Sequence, residues 1–243
     1  MTKTDAPAAS APQSLVEPCP SCQKRPELCL CGEPRKFETR HHVLILQHPQ
    51  EPDKDLGSAR LAHLALPNST LRIGLSWANL GKALGREAVS SKWAVLHLGS
   101  GIKAAGGAKA QPASGSALVL VDKKGVPLTD QKKALSELEG IVILDGTWSQ
   151  AKALWWRNAW LLKLKRAILA PARPSLYKDL RKEPRRECLS TIESVATALQ
   201  ALGEPTQVEE GLNARFQQLL SRYRGLKAKL KLERQAASPR EKP

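Results

Sequence analysis

The chain of 243 residues has no apolar run that approaches the roughly 20 residues a membrane-spanning helix requires. Its first residues, MTKTDAPAASAPQSLVEP, lack the apolar core of a secretory signal. These absences argue against a membrane span and point to a cytoplasmic protein. Acid is scarce as well: 23 Asp and Glu face 38 Lys and Arg, a formal charge of +15. A field of that sign draws polyanions, with nucleic acid ahead of an acidic membrane surface. No internal repeat is visible, and the length suits one sizeable core with appendages.

Two phosphate-handling signatures are incomplete. GSGIKA (99–104) has the spacing G-x-G-x-x-A after a strand-like run, with Asp122 further on, but a dinucleotide fingerprint must open a helix. The continuation AGGAKAQPASGS is too rich in Gly, with a Pro, to supply one. ILDGT (143–147) resembles the D-x-D-G-T of aspartyl phosphate chemistry, yet Ile143 stands where the nucleophilic aspartate is needed.

The patterning that is present predicts an α/β domain. Residues 1–18, rich in Ala, Pro, Ser and Thr, read as a disordered tail. HHVLILQH (41–48), TLRIG, WAVLHLG (93–99), ALVLVD (117–122), IVILD (141–145) and AILA (167–170) have strand length and apolar content. Helical spacing marks DLGSARLAHLAL (55–66), TDQKKALSELEG (129–140), a stretch from Ser149 to Leu162, CLSTIESVATALQALG and a basic terminal segment. ALVLVD, its helix and IVILD form a βαβ pattern, which predicts parallel neighbours and a right-handed crossover. The Gly- and Ala-rich stretch from 99 to 116 reads as a flexible insertion. The expected divisions are a tail (1–18), a cysteine segment (19–36), an α/β domain (37–205) and a basic helix with its tail (206–243).

Four of the five cysteines lie in CPSCQKRPELCLC, as Cys19, Cys22, Cys29 and Cys31. Two close thiolate pairs can converge on one tetrahedral ion, and zinc is the expected one where disulfides seldom persist. A four-thiolate site is closed, hence structural; reduced, unliganded thiols are the other reading. Cys188 reads as an inert, partly buried thiol.

Asp145 ends an otherwise apolar strand, so its carboxylate emerges at the sheet's edge and can accept a proton or hold a donor. Equally, Asp145 or Thr147 could cap the helix that follows. Trp148 could lie over an aromatic or sulfonium ligand, or in the core; Trp155 and Trp156 read as core or interface. Ser190 to Glu193, STIE, has capping-box spacing, sufficient by itself to explain those residues. A helix N-terminus near Asp145 would also suit a ligand carboxylate. HPQE (48–51) closes the first strand, where a lone His is usually structural. RPSLYKDLRKEPRR supplies Arg173, Lys178, Arg181, Lys182, Arg185 and Arg186, either a phosphate-contacting loop or a solvated face. Arg215, Arg222, Arg224, Lys227, Lys229 and Lys231 on the terminal helix could extend that footprint.

The cysteine cluster, HPQE, DGTW and STIE, in this order and spacing, resemble the DTW-domain family over about residues 18–205. The bacterial members it looks most like are tRNA-uridine aminocarboxypropyltransferases. The resemblance implies a fold related to the knotted, SPOUT-like parallel-sheet methyltransferases. It also implies transfer of the 3-amino-3-carboxypropyl group of S-adenosyl-L-methionine to N3 of a tRNA uridine, giving acp3U, with position 47 of the variable loop expected. By position, Asp145, Thr147 and Trp148 match the family's D-x-T-W, with Gly146 between them. Ser190, Thr191 and Glu193 match its S-T-x-E, and His48, Pro49 and Glu51 its H-P-x-E. Asp145 is then the expected general base, and Thr147, Trp148, Ser190, Thr191 and Glu193 the expected cofactor contacts. The arginine loop is expected to grip tRNA, with no membrane and no obligate protein partner. The chain departs from the family where WAVLHLGSG lacks a Tyr-Pro pair and carries a long insertion. A SPOUT-like RNA methyltransferase and a non-catalytic zinc-bearing RNA-binding protein are the competing classes.

Overall fold

In the computed structural model, residues 17–32, 35–52, 54–96, 117–171, 173–180 and 189–237 are described. The tail up to residue 16, GSGIKA and the rest of the insertion to residue 116, Arg181, Lys182, Arg185, Arg186 and Cys188 lie outside them. Six strands form one sheet: β1 (His42–Gln47), β2 (Ser69–Ile73), β3 (Trp93–Leu96), β4 (Leu118–Val121), β5 (Gly140–Asp145) and β6 (Lys165–Leu169), in the order β2-β1-β5-β3-β6-β4. The helices are α1 (Ala59–Ala65), α2 (Leu80–Leu84), α3 (Gln131–Ser136), α4 (Trp148–Arg157), α5 (Thr191–Ala201) and α6 (Thr206–Ala237). Among the described residues no helix is long and apolar enough to cross a membrane.

The middle residues of β1 (Val43 to Leu46) and β5 (Ile141 to Leu144) are all apolar because the sheet is covered on both faces, as parallel sheets require. Val43 and Ile45 of β1 and Ile141 and Ile143 of β5 pack under α1, α5 and α6. Leu44, Leu46, Val142 and Leu144 face the other way, toward α2 and α4 and the turn of 3-10 helix at Ala159–Lys163. This alternation has a consequence at the strand ends. Gln47 and Asp145 share the parity of the first set, and they are register partners, so both point toward α5. Close approach fixes β5 at its start: a Cβ on Gly140 would lie 2.5 Å from the His42 carbonyl oxygen and 2.7 Å from the Trp93 ring.

One sequence expectation fails. β4, α3 and β5 are not a parallel βαβ unit: β4 lies at the far edge and runs antiparallel to β6. Leu118, its first residue, pairs with Leu169, the last of β6. The chain therefore leaves β3 and enters β4 at the same edge of the sheet, and no crossover is needed. Gln131, at the start of α3, then satisfies the backbone of β4 with both ends of its amide, bonding Leu120 N and Leu120 O at 2.9 and 2.7 Å.

The first half of the terminal helix packs into the core of the α/β domain. Val208, Leu212, Phe216, Leu219 and Leu220 belong to the same core as α5, and the helix is predominantly exposed only beyond them. The turn between α5 and α6, with Gly203 at a φ of +82°, presents Glu204 to the start of β1. Its buried carboxylate accepts from the amides of Arg40 and His41 at 3.0 and 2.9 Å and lies 2.5 Å from His41 Nδ1. Burial alone would raise the pKa of Glu204, but these His41 and Arg40 contacts outweigh it and hold it below the usual carboxylate range.

A depressed carboxylate contributes stability that is present above its unfolded pKa, near 4.5, and is lost as pH falls through the folded value. Glu204→Gln is thus expected to cost about 1–3 kcal/mol at pH 7, by urea denaturation. The difference from wild type should shrink below pH 4.5; an equal difference at pH 7 and at acid pH would contradict the latch.

Candidate active site at the carboxyl edge of the sheet

Where β1 and β5 end, four segments meet at one carboxylate. Asp145 is 7% exposed. Its Oδ2 accepts from Gln47 Nε2 at 2.8 Å, and its Oδ1 accepts from the Thr191 hydroxyl at the start of α5. The His48 amide donates to the Asp145 carbonyl at 3.0 Å. Ser58, which precedes α1, accepts from the Ile192 amide at 3.2 Å. Gln47 and Thr191 thus hold the two carboxylate oxygens from two different elements.

The next residues turn the chain from one face of the sheet to the other. A Cβ on Gly146 would come within 2.8 Å of the Gln150 Cβ, so the turn needs a residue without one. Thr147, not Asp145, caps α4: its hydroxyl accepts from the Gln150 amide, and its own amide donates to Gln150 Oε1 at 2.6 Å. Gln150 also reaches Gln50 in the HPQE segment, at 3.1 Å. Trp148 is the first residue of α4 and half-buried.

STIE is a complete capping box, and its carboxylate does more than cap. Glu193, 5% exposed, accepts from the Ser190 amide and hydroxyl at 3.0 and 2.6 Å, from the Ser175 hydroxyl at 2.8 Å and from the Leu176 amide at 2.7 Å. It ties the basic loop to α5. The amides of Ser190, Ile192 and Glu193 all have protein acceptors, so the helix end is less open to an anion than its sequence suggests.

In HPQE, Glu51 is buried and bonded to Lys54 Nζ at 2.7 Å, His48 Nδ1 accepts from the Gln50 amide at 3.3 Å, and Pro49 is exposed. The cysteine segment holds this loop from behind. Lys24 Nζ donates to the Lys54 carbonyl at 2.8 Å, and Arg25 pairs with Asp55 at 3.4 Å. Burial lowers the pKa of Lys24, against the pull of Asp55, Cys22 and Asp145. Gln47, Ser175 and Lys24 had no signal in the sequence beyond being polar at the end of, or beside, a recognised motif.

The four Sγ atoms of Cys19, Cys22, Cys29 and Cys31 lie within 4.8 Å of one another and could hold a metal ion. Cys19 and Cys31 are 3.8 Å apart, the edge of a tetrahedron with metal–sulfur bonds of about 2.3 Å. Gln23, at a φ of +61°, closes the turn that holds Cys19 and Cys22 together, its amide donating to the Cys19 carbonyl at 2.7 Å. The amides of Cys22 and Ser21 lower the Cys19 thiol to about 6, whereas burial raises Cys22 and Cys31. Leu28 and Leu30 anchor the segment in the core, and Arg215 and Arg222 of α6 donate to the carbonyls of Leu30 and Cys29. Arg215 is therefore buried structure, a correction to its reading as part of a nucleic-acid footprint.

Arg173 and Lys178 are exposed, and Asp179 pairs with Arg224 at 3.5 Å. A cleft of about 600 Å³ opens between this loop, α5 and α6, lined by Arg173, Glu193, Gln200, Glu209 and Asn213 among others. Asp145, Thr147 and Trp148 do not line it; the two regions share Glu193.

A family model described as DTW domain matches residues 16–224. A protein of Macaca fascicularis named tRNA-uridine aminocarboxypropyltransferase 2 is 29% identical over 213 residues, covering 84% of this chain and 62% of its own. The mouse protein of that name is 26% identical, with the same coverage, and the Drosophila melanogaster one 24%, covering 83% and 72%. The chain thus spans less than two thirds of the length of the first two relatives. No solved structure matches it.

The cysteine knuckle is expected to carry one metal ion per chain, measured by elemental analysis. Chelation should lower the thermal midpoint by about 5 °C or more, since each kcal/mol shifts a domain of this size by roughly 2–4 °C. A chain that purifies without metal and melts unchanged in chelator would contradict a structural ion.

Proposed function

Because the chain belongs to the DTW-domain family, we propose that it is a tRNA-uridine aminocarboxypropyltransferase, moving the 3-amino-3-carboxypropyl group of S-adenosyl-L-methionine to N3 of a tRNA uridine. The observation that carries this reading is the buried carboxylate of Asp145 at the carboxyl edge of a mostly parallel sheet, where α/β folds place their ligands. The names of the relatives support transfer of an aminocarboxypropyl group to a tRNA uridine; the donor and the N3 target are part of the proposal. A SPOUT-like kinship of the fold belongs to the same reading, supported by the mostly parallel sheet with helices on both faces.

When bound, the sulfonium supplies an activated carbon and a neutral thioether leaving group. Uridine N3 carries an imide proton and must lose it to attack, and Asp145 is the group that takes it. The new bond joins N3 to the terminal carbon of the aminocarboxypropyl chain as the carbon–sulfur bond breaks, its electron pair remaining on sulfur. Gln47 and Thr191 hold the base in one orientation toward the N3 proton, while the seating of the sulfonium decides which carbon meets N3. Gln47 Oε1 is buried with no hydrogen-bond partner among the described residues, a demand that an ammonium or imide N–H could meet.

Thr147 and Gly146 shape the wall of the site and Trp148 flanks it, with His48, Pro49 and Glu51 forming the facing loop. Glu193 and Ser190 serve as positioning residues that hold the basic loop, rather than as direct contacts. Arg173, Lys178, Arg181, Lys182, Arg185 and Arg186 take tRNA phosphates, joined by Lys227, Lys229 and Lys231 of α6. Zinc is the ion assigned to the four cysteines, in a structural role, and the variable loop of tRNA is the assigned target.

The reading is tested by incubating the protein and tRNA with S-adenosyl-L-methionine labelled in either the carboxyl carbon or the methyl group. Entry of carboxyl label into RNA is the expected result. Methyl label would indicate a methyltransferase instead, and neither label, despite tight binding, a non-catalytic RNA-binding protein.

A further inference from the structure

Trp156 is the most exposed large apolar side chain among the described residues, at 78%. Its neighbours show that this is not a loosely packed core position. Trp155 is half-buried, with the Arg166 guanidinium 5.7 Å from its ring centre. Trp160 is buried and donates from Nε1 to Asn158 at 3.2 Å. Ala151 and Leu154 carry the apolar face of α4. The core is complete without Trp156, so of its two sequence readings, core or interface, the exposure rules out the core.

The exposed side of α4 is a stripe. Ser149, Lys152 and Trp156 follow at helical spacing, with Arg157 next in sequence at the end of the helix, all exposed, so Lys152 and Trp156 are neighbours one turn apart. No acidic residue occurs between Gly146 and Lys178, a span that also contains Lys163, Lys165, Arg166 and Arg173. The stripe starts at the Thr147 cap, two residues beyond Asp145, and Trp156 lies roughly 14 Å further along the helix. The far end of α4 stays near the carboxyl edge. Asn158 donates to the Leu75 carbonyl at 3.0 Å and accepts from the Trp77 amide at 2.8 Å, in the loop that leaves the carboxyl end of β2.

We propose that Trp156, flanked by Lys152 and Arg157, is a stacking platform for an unpaired base of the RNA substrate, outside the site that holds the reacting uridine. The proposal rests on the reading of tRNA as substrate. N3–H is a Watson–Crick donor, so a reactive uridine is unpaired, and single-stranded loops offer neighbouring bases with open faces. An exposed indole suits any base, since every base has a π-face, and the flanking cations take the adjoining phosphates. The charge of the stripe selects this occupant over an apolar protein surface.

The test compares wild type, Trp156→Ala and Trp156→Phe for affinity to fluorescently labelled tRNA, carboxyl-label transfer, thermal midpoint and mass by sedimentation. Trp156→Ala is expected to bind tRNA roughly tenfold more weakly with its melting unchanged, and Trp156→Phe to recover most of the affinity. Wild-type affinity in Trp156→Ala would overturn the proposal. So would a mass that falls on substitution while RNA binding holds, since the face would then seat a second copy. If wild type transfers no label yet RNA binding still depends on Trp156, the transferase reading fails and the platform stands.

Discussion

A carboxylate taken out of water must be given hydrogen-bond donors or it destabilises the fold, and at Asp145 the donors come from two distant parts of the chain. Gln47 closes β1 and Thr191 opens α5. The register that sets Gln47 against Asp145 also fixes which face of the sheet each side chain occupies, so the same alternation that builds the core delivers both to α5. Satisfying one buried charge thereby fixes where α5 begins, and with it where Glu193 anchors the basic loop.

The surroundings of this junction are held from outside. Glu204 secures the start of β1, while the cysteine knuckle, clasped by α6, props the HPQE loop through Lys24 and Arg25. A metal in the knuckle would act on the site only at a distance, by keeping that loop in place. Such a role fits four thiolate ligands, which leave no open coordination position.

Much of the architecture is legible in the sequence because a sheet buried on both faces leaves continuous apolar runs, as in HVLILQ and GIVILD. The caps are legible too, since STIE and the Thr147–Gln150 pair satisfy local backbone groups in ways that spacing alone discloses. Strand order and direction are not. β4 has the pattern of a strand in any sheet, and only its pairing with Leu169 sets it antiparallel. Arg215 reads as one more surface cation in a basic helix, and its burial depends on carbonyls some 180 residues away. Gln47 carries no signal because its importance lies in its register partner, and the exposure of Trp156 depends on what else fills the core.

The central claim is that Asp145 takes the proton from the uridine, and Asp145→Asn isolates it. The amide retains an oxygen for Gln47 and can donate to the Thr191 hydroxyl, so the junction is expected to survive. At saturating tRNA and S-adenosyl-L-methionine, Asp145→Asn should melt close to wild type, bind tRNA normally and lose carboxyl-label transfer by roughly 10²–10⁴-fold. Full turnover by a folded Asp145→Asn protein would contradict the account.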